Sequence, residues 1–313
     1  MRIVFCGTPE FGVPSLRRLL SDSDFAVEAV VTQPDRPRGR GHAVSAPPIK
    51  EIALDAGVHV YQPEKIKADS AYDFFKALAP DAVVIIAYGQ IIPARLIEIP
   101  RLGWINLHAS LLPRYRGAAP IAWAIVNGET KTGLTTMQID AGMDTGPILL
   151  QCEMAIGNDE TAPELAQRMA EIGAPLIVDS LRKLDRGEIV PLPQDTSQAT
   201  YAPLLKKEHG RIDWSQSAQQ VYNRIRGLAP WPGAYTTFRS RLCHVWGRPA
   251  EAAVAGTSQA LGALIVGGGA VYTVCGGGSC LALETVQIEG RKRISAREFS
   301  NGAHLKPGER LGE

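Results

Sequence analysis

The chain has 313 residues, 45% hydrophobic and 21% charged, a composition that fits a soluble globular protein and excludes a disordered one. A formal net charge of +1 provides no global field to advertise a polyanionic partner. A length above 300 predicts two domains.

"RIVFCG" (2–7) predicts a first strand, entered without any signal-like apolar core, so the cytoplasm is the expected compartment. The turn "GTPEFGVP" after it has Gly7 and Gly12 but neither G-x-G-x-x-G nor a Gly-Lys-Ser/Thr triplet. It predicts a tight strand-to-helix turn rather than a nucleotide loop. "PSLRRLL" (14–20) starts a helix and "VEAVVTQ" (27–33) is the second strand. The loop 33–48, "QPDRPRGRGHAVSAPP", sets Arg36, Arg38, Arg40 and His42 among prolines and glycines and is expected to be exposed. Its guanidiniums suit phosphate contacts, with a merely solvated basic loop as the competing reading. A helix over 47–57, a strand over 58–62, a helix over 73–79 and a strand over 81–88 follow. This alternation predicts a mostly parallel, Rossmann-like sheet covered on both faces, with ligands at the C-terminal ends of its strands. The apolar run at 82–88 is too short to span a bilayer, and no membrane contact is expected.

"INLHASLLPRYRG" (105–117) places an amide and an imidazole on one strand. Side chains two apart point the same way, so Asn106 and His108 share a face, and Pro113 is expected to end the strand just beyond them. A carboxylate to accompany them lies in the Gly-punctuated loop "QIDAGMDTGPIL" (138–149), with Asp144 favoured over Asp140. An amide can steady an oxyanion, and a carboxylate can orient and support an imidazole. The set suits acyl transfer to an amine without a covalent enzyme intermediate. Ser110 as a nucleophile is disfavoured because G-x-S-x-G is absent. A metal site is not expected either: the five cysteines contain no Cys-x-x-Cys and read as reduced core residues.

Residues 161–184 predict a helix with Thr161 and Glu164 as a capping box and a kink or break at Pro175. The polar stretch 186–208 has no sustained periodicity, and the linker is placed at 190–208, between a catalytic domain (1–189) and a C-terminal domain (209–313). A helix at 217–228 precedes short Gly-separated strands, "AYTTF", "LCHVW", "GALIV", "AVYTV" and "CLALETVQI". These predict a small OB-like β-barrel, with the glycines at 267–269 and 276–278 in hairpin turns. Charge divides along the same line. Residues 1–208 hold 21 Lys and Arg against 25 Asp and Glu, whereas residues 209–313 hold 12 against 7. The basic C-terminal third admits nucleic-acid contact or a solvated surface.

The run "NLHASLLPRYRGAAPIAWAIVNGETKTGLTTMQIDAGMDTGPIL" (106–149) resembles the core of the folate-dependent formyltransferases. The likeness continues through "FCGTPEFGVPSL", "TQPDRPRGRG", "AYGQIIP", "TYAPLLKKEHGRIDWSQSA" and "APWPGAYTTF", and so covers nearly the whole chain. It implies that Asn106, His108 and Asp144 are catalytic and that 10-formyltetrahydrofolate is the formyl donor, with no metal. It also implies a pterin slot lined by Tyr88, Gly89, Gln90, Ile92, the Ser110, Leu111, Leu112, Pro113 turn, and the loop containing Asp140. Two segments, "PDRPRGRG" and "GRIDWSQSA", are similar to those of family members whose acceptor is the methionine of initiator Met-tRNA. That likeness implies that Arg40, with Arg36 and Arg38, meets the tRNA acceptor end. It further implies that Arg211, Arg224, Arg226, Arg291, Lys292 and Arg293 follow the tRNA backbone. A monomer is expected. The alternative acceptor is a nucleotide-sugar amine, and Arg114 and Arg116 receive no role.

Overall fold

The computed structural model describes residues 1–38, 43–250 and 260–313. They form two units: Met1–Pro120 with Lys131–Ala155 and Leu165–Pro203, and Ile121–Thr130 with Ile156–Glu164 and Leu204–Glu313.

Apolar runs interrupted by helices build the first unit. In chain order these are β1 (Arg2–Gly7), α1 (Val13–Ser21), β2 (Ala26–Val31), β3 (Arg36–Arg38), β4 (Ala43–Ser45), α2 (Pro48–Asp55) and β5 (His59–Tyr61). Then come α3 (Asp69–Leu78), β6 (Ala82–Ile86), α4 (Ala94–Ile97) and β7 (Trp104–His108). After α5 (Pro120–Val126), which apart from Pro120 belongs to the second unit, β8 (Lys131–Gln138) and β9 (Ile148–Ala155) lead to α6 (Ala162–Asp185). Seven strands form one sheet in the order β5-β2-β1-β6-β7-β8-β9; β8 runs antiparallel to both β7 and β9. The chain reverses its direction of travel across the sheet between β1 and β6, so the C-terminal ends of β1, β6 and β7 frame the crevice where such sheets take ligands. β3 and β4 pair with each other as a separate ribbon.

On one face of this sheet Trp104 packs with Phe75, Leu96, Val83 and Ile85. The Trp104 indole is fully buried and donates 2.7 Å to the Leu96 carbonyl, so its polar atom is satisfied inside the core. On the other face α6 lies over β7. A Cβ at Gly173 would come within 2.5 Å of Leu107, so glycine permits that approach. Helix α6 runs unbroken through Pro175 and so is not split there. Pro175 and Glu171 are both exposed, so water can satisfy the Glu171 carbonyl that proline leaves without a donor. Two further expectations shift. α3 starts at Asp69 rather than 73, and β7 stops at His108 itself, five residues before Pro113.

The second unit continues with α7 (Ala218–Gly227), β10 (Tyr235–Phe238), β11 (Arg241–Pro249), β12 (Leu264–Gly267), β13 (Ala270–Val274), β14 (Cys280–Ile288), β15 (Ile294–Ser295) and α8 (Ala296–Ala303). The six strands form one antiparallel sheet in the order β10-β11-β14-β13-β12, with β15 on β14. Residues 267–269 turn the β12–β13 hairpin and 276–278 lie between paired β13 and β14. Its core holds Trp214, Val221, Phe238, Val245, Leu281 and Phe299. Ser217 and Gln220 cap α7 reciprocally.

Trp104→Ala should destabilise the first unit by about 3–5 kcal/mol, because it opens a cavity and removes the indole hydrogen bond to the Leu96 carbonyl. Urea melts followed by circular dichroism would check this, with Trp104→Phe losing distinctly less.

Candidate active site

β7 is held between parallel β6 (Ile85 opposite Asn106) and antiparallel β8 (Thr135 opposite His108, Met137 opposite Asn106). This register fixes Asn106 and His108 on the face that carries Trp104, while Leu107 faces α6. Asn106 is half-buried, and among the described residues its side chain has no hydrogen-bond partner. Its amide is therefore a donor and acceptor still available at the strand's end.

His108 is 6% exposed and both ring nitrogens are directed at protein atoms. Nε2 lies 3.0 Å from the Tyr115 carbonyl, and Nδ1 lies 3.6 Å from Asp144 Oδ2. A carbonyl only accepts, so Nε2 carries a hydrogen in this arrangement and Nδ1 is the nitrogen that faces the carboxylate. Asp144 Oδ2 also accepts 2.8 Å from the Gly117 amide. The expected trio is thus partly assembled. His108 and Asp144 are neighbours, and Asn106 shares the strand face of His108.

The turn after β7 supplies these main-chain partners, and its own side chains are occupied in shaping it. Ser110 is 1% exposed and its hydroxyl donates 2.6 Å to the Arg114 carbonyl, which leaves it unsuited to nucleophilic attack. Thr135 Oγ1 donates to the Ser110 carbonyl at 2.6 Å and accepts from the Leu112 amide at 3.1 Å. Gln151 donates to the Leu112 carbonyl at 2.9 Å. Tyr115 adopts φ 58°, a left-handed conformation. Its amide donates 2.8 Å to Thr200 Oγ1, and the Arg116 amide donates 2.8 Å to the Thr200 carbonyl. Residues 192–202 therefore pack on the first unit, with Leu192 bridged to Ile148 and Tyr201 to Arg116.

The loop with Asp140 and Asp144 is built from its own short hydrogen bonds. Asp140 Oδ1 accepts from the Gly142 amide at 3.0 Å and from the Thr145 hydroxyl at 2.7 Å. A Cβ on Gly146 would fall 1.9 Å from the Gln138 carbonyl, so no other residue fits there. Asp140 thus shapes the loop internally.

In the segment after β6, Tyr88 packs into the core, where burial raises the pKa of its hydroxyl and keeps it neutral. The Tyr88 carbonyl accepts from Thr8 and Gln33, each at 3.1 Å. The Gln90 side chain accepts from the Ile66 amide and donates to Gln33 and the Glu64 carbonyl. Ile92 is buried, whereas Ile91 is 90% exposed. Met143, in the Asp144 loop, is exposed as well. These two apolar side chains lie in the expected slot segments, yet nothing in the sequence singles them out. Alternation past the end of a strand gives no guide to which of two adjacent isoleucines turns outward.

The basic residues separate by burial. Arg40 lies outside the described residues, Arg38 ends β3, and exposed Arg36 pairs at 3.5 Å with Glu64. Arg226 is buried and donates to the Gly157 and Glu160 carbonyls and to Asn223, while Arg224 donates to the His209 carbonyl. Both hold the second unit together instead of facing solvent as expected, because α7 turns its last basic residues inward. Arg211, Arg291, Lys292 and Arg293 are exposed. Arg293 lies 3.8 Å over the Trp246 ring. Arg291 and Lys292 border a cleft of about 230 Å³ with Arg239, Arg241, Ile288 and Ile294. Among the described residues no group of three or more His, Cys, Asp or Glu is placed to hold a metal ion, and no helix is long and apolar enough to cross a membrane.

Comparison with known proteins agrees with this layout. The formyl transferase family model matches residues 1–181, and the formyl transferase C-terminal domain model matches residues 204–304. A methionyl-tRNA formyltransferase of Solibacter usitatus is 52% identical over 100% of this chain and 99% of its own. One from Geobacter metallireducens is 48% identical over 100% and 99%. Among solved structures, a sugar 3N-formyl transferase in the presence of dTDP and 5-N-formyl-THF superposes with a TM-score of 0.67 at 17% identity. That match covers 93% of this chain and 99% of the other, and at this identity it speaks for the fold alone. With both domain models matched in order and full-length relatives at about half identity, the chain belongs to the methionyl-tRNA formyltransferase family.

Proposed function

We propose that the chain transfers the formyl group of 10-formyltetrahydrofolate to the α-amine of methionine on initiator Met-tRNA, giving formylmethionyl-tRNA. The acceptor rests on the end-to-end likeness to relatives that bear that activity in their names. The chemistry rests on one observation above all: His108 Nδ1 lies 3.6 Å from the Asp144 carboxylate, and Asn106, on the same strand face as His108, has an amide without a partner among the described residues.

The reduced folate presents the formyl carbon as electrophile, and this chain's residues do the rest. Charge gathers on the formyl oxygen as the amine attacks, and the Asn106 N–H is the donor placed to meet it. The amine must shed a proton, and His108 Nδ1 is the ring nitrogen left to take it, since Nε2 is held by the Tyr115 carbonyl. Asp144 then faces the newly formed imidazolium and supports its charge. From Nδ1 the proton can pass to the departing folate nitrogen, so no covalent enzyme intermediate is needed. Exposed Ile91 and Met143 suit the walls of a pterin slot, with the Ser110–Pro113 turn as its floor. We assign residues 1–189 to catalysis and 209–313 to tRNA binding. The tRNA-facing set narrows to the exposed cations Arg36, Arg211, Arg291, Lys292 and Arg293 together with Arg38 and Arg40, while Arg224 and Arg226 are reassigned to structure.

Incubation with 10-formyltetrahydrofolate and either initiator Met-tRNA, elongator Met-tRNA or a nucleotide-sugar amine should yield formylated product on initiator Met-tRNA. Product on the sugar amine alone would overturn the reading. His108→Ala and Asn106→Ala should each lower kcat by roughly 10²–10³ with tRNA affinity nearly unchanged. Charge reversal of Arg291 and Lys292 should do the opposite and weaken tRNA binding. The slope of log affinity against log salt should then become shallower by about 0.7–0.9 for each phosphate no longer neutralised. Filter binding across a salt series reads both effects.

A further inference from the structure

Gln194 lies outside any helix or strand in the stretch after α6, yet every hydrogen-bonding group of its side chain is used. Its carbonyl oxygen accepts from Arg116 Nε at 3.0 Å and Nη2 at 2.7 Å. Its NH2 donates to the main-chain carbonyls of Asp144 at 2.9 Å and Gly146 at 2.7 Å. A guanidinium can only donate, so the orientation of the amide is fixed and its N–H groups must face the loop. Arg116 is 2% exposed, and a charge buried to that degree needs such a partner.

The consequence falls on Asp144. Its φ is 53°, in the left-handed region that few residues other than glycine, asparagine and aspartate adopt. Gln194 grips the loop at Asp144 and again two residues on. The other end of the carboxylate's support, the Gly117 amide, adjoins Arg116, whose main chain is paired with Thr200 and Ala202 at 2.8 and 2.7 Å. Arg116 therefore acts on both sides of the same carboxylate. Its main chain sets the donor, and its side chain, through Gln194, sets the backbone that carries the acceptor. Of these three side chains only Asp144 reaches His108, so the pair behind it is not catalytic itself.

We propose that Gln194, oriented by buried Arg116, is the positioning residue that holds Asp144 against His108. The proposal rests on the catalytic reading of Asp144 given above and adds a residue to which the sequence assigned only a linker. A displacement of about 1 Å in a catalytic group can cost around 10²-fold in rate, which sets the scale expected here.

The test uses the full chain with Gln194→Met, which keeps the length and removes the hydrogen bonds, and Gln194→Glu, which keeps a partner for Arg116 but offers oxygen to the loop carbonyls. Each is made alone and in an Asp144→Asn background, and kcat and KM are measured for both substrates. Both single variants should lower kcat about 10- to 100-fold with either KM changed less than about 3-fold, and Gln194→Met should cost less than about 3-fold in the Asp144→Asn background. Should Gln194→Met fail to fold, Gln194→Glu carries the same comparison, because it leaves Arg116 paired. Wild-type kcat in the single variants overturns the proposal. So does an equal loss in both backgrounds, which would mean that Gln194 acts elsewhere. Full activity of Asp144→Asn alone would instead overturn the catalytic reading of Asp144, so the two failures are told apart.

Discussion

Two main-chain groups of a single turn hold the site. The Tyr115 carbonyl fixes one nitrogen of His108, and the Gly117 amide fixes Asp144 against the other. Both groups belong to the segment that folds back after β7, so the return path of residues 109–117 decides whether an imidazole and a carboxylate about 36 positions apart become neighbours. A buried histidine with only one partner would be a modest structural residue. With Nε2 tied to a pure acceptor, the ring is oriented so that its other nitrogen faces Asp144.

Much of the surrounding polar content exists to stiffen that turn. Thr135 on β8 and Gln151 on β9 hold the Ser110 and Leu112 main-chain groups from the antiparallel side of the sheet. Thr200 and Ala202 pair with Tyr115 and Arg116 from the segment that follows α6. The two strands appended to an otherwise parallel sheet thus serve the site directly, since side chains on β8 and β9 reach the turn from beyond β7. A loop left to itself would populate many conformations, whereas one bonded along its length offers a single arrangement to a substrate.

The second unit shows the complementary use of arginine. Arg224 and Arg226 face main-chain carbonyls and fasten the 156–164 segment and the 207–210 turn to α7. Arg291, Lys292 and Arg211 have exposed side chains and keep their charge at the surface. Net positive charge counted along the chain mixes these two populations, although only the exposed one can neutralise phosphates.

Alternating apolar runs, the Gly-separated short strands and the i, i+2 placement of Asn106 and His108 were legible from the amino-acid sequence, because periods of two and 3.6 residues are local properties of the backbone. The nearby family motifs carried the chemistry as well. The sequence did not reveal that the stretch around Gln194 is bonded to the site. A glutamine that follows Pro193 in a stretch without periodicity carries no pattern to mark it, and its partners, Arg116, Asp144 and Gly146, lie about 50 to 80 positions away. Nor could it tell inward from outward arginines on α7, since a guanidinium is buried or solvated according to which carbonyls the fold brings within reach. What the chain determined by itself was the set of elements and the chemical groups they carry. The tertiary structure alone decided which groups meet, because hydrogen-bond partners across a fold are fixed by loop closure and packing, not by spacing along the chain.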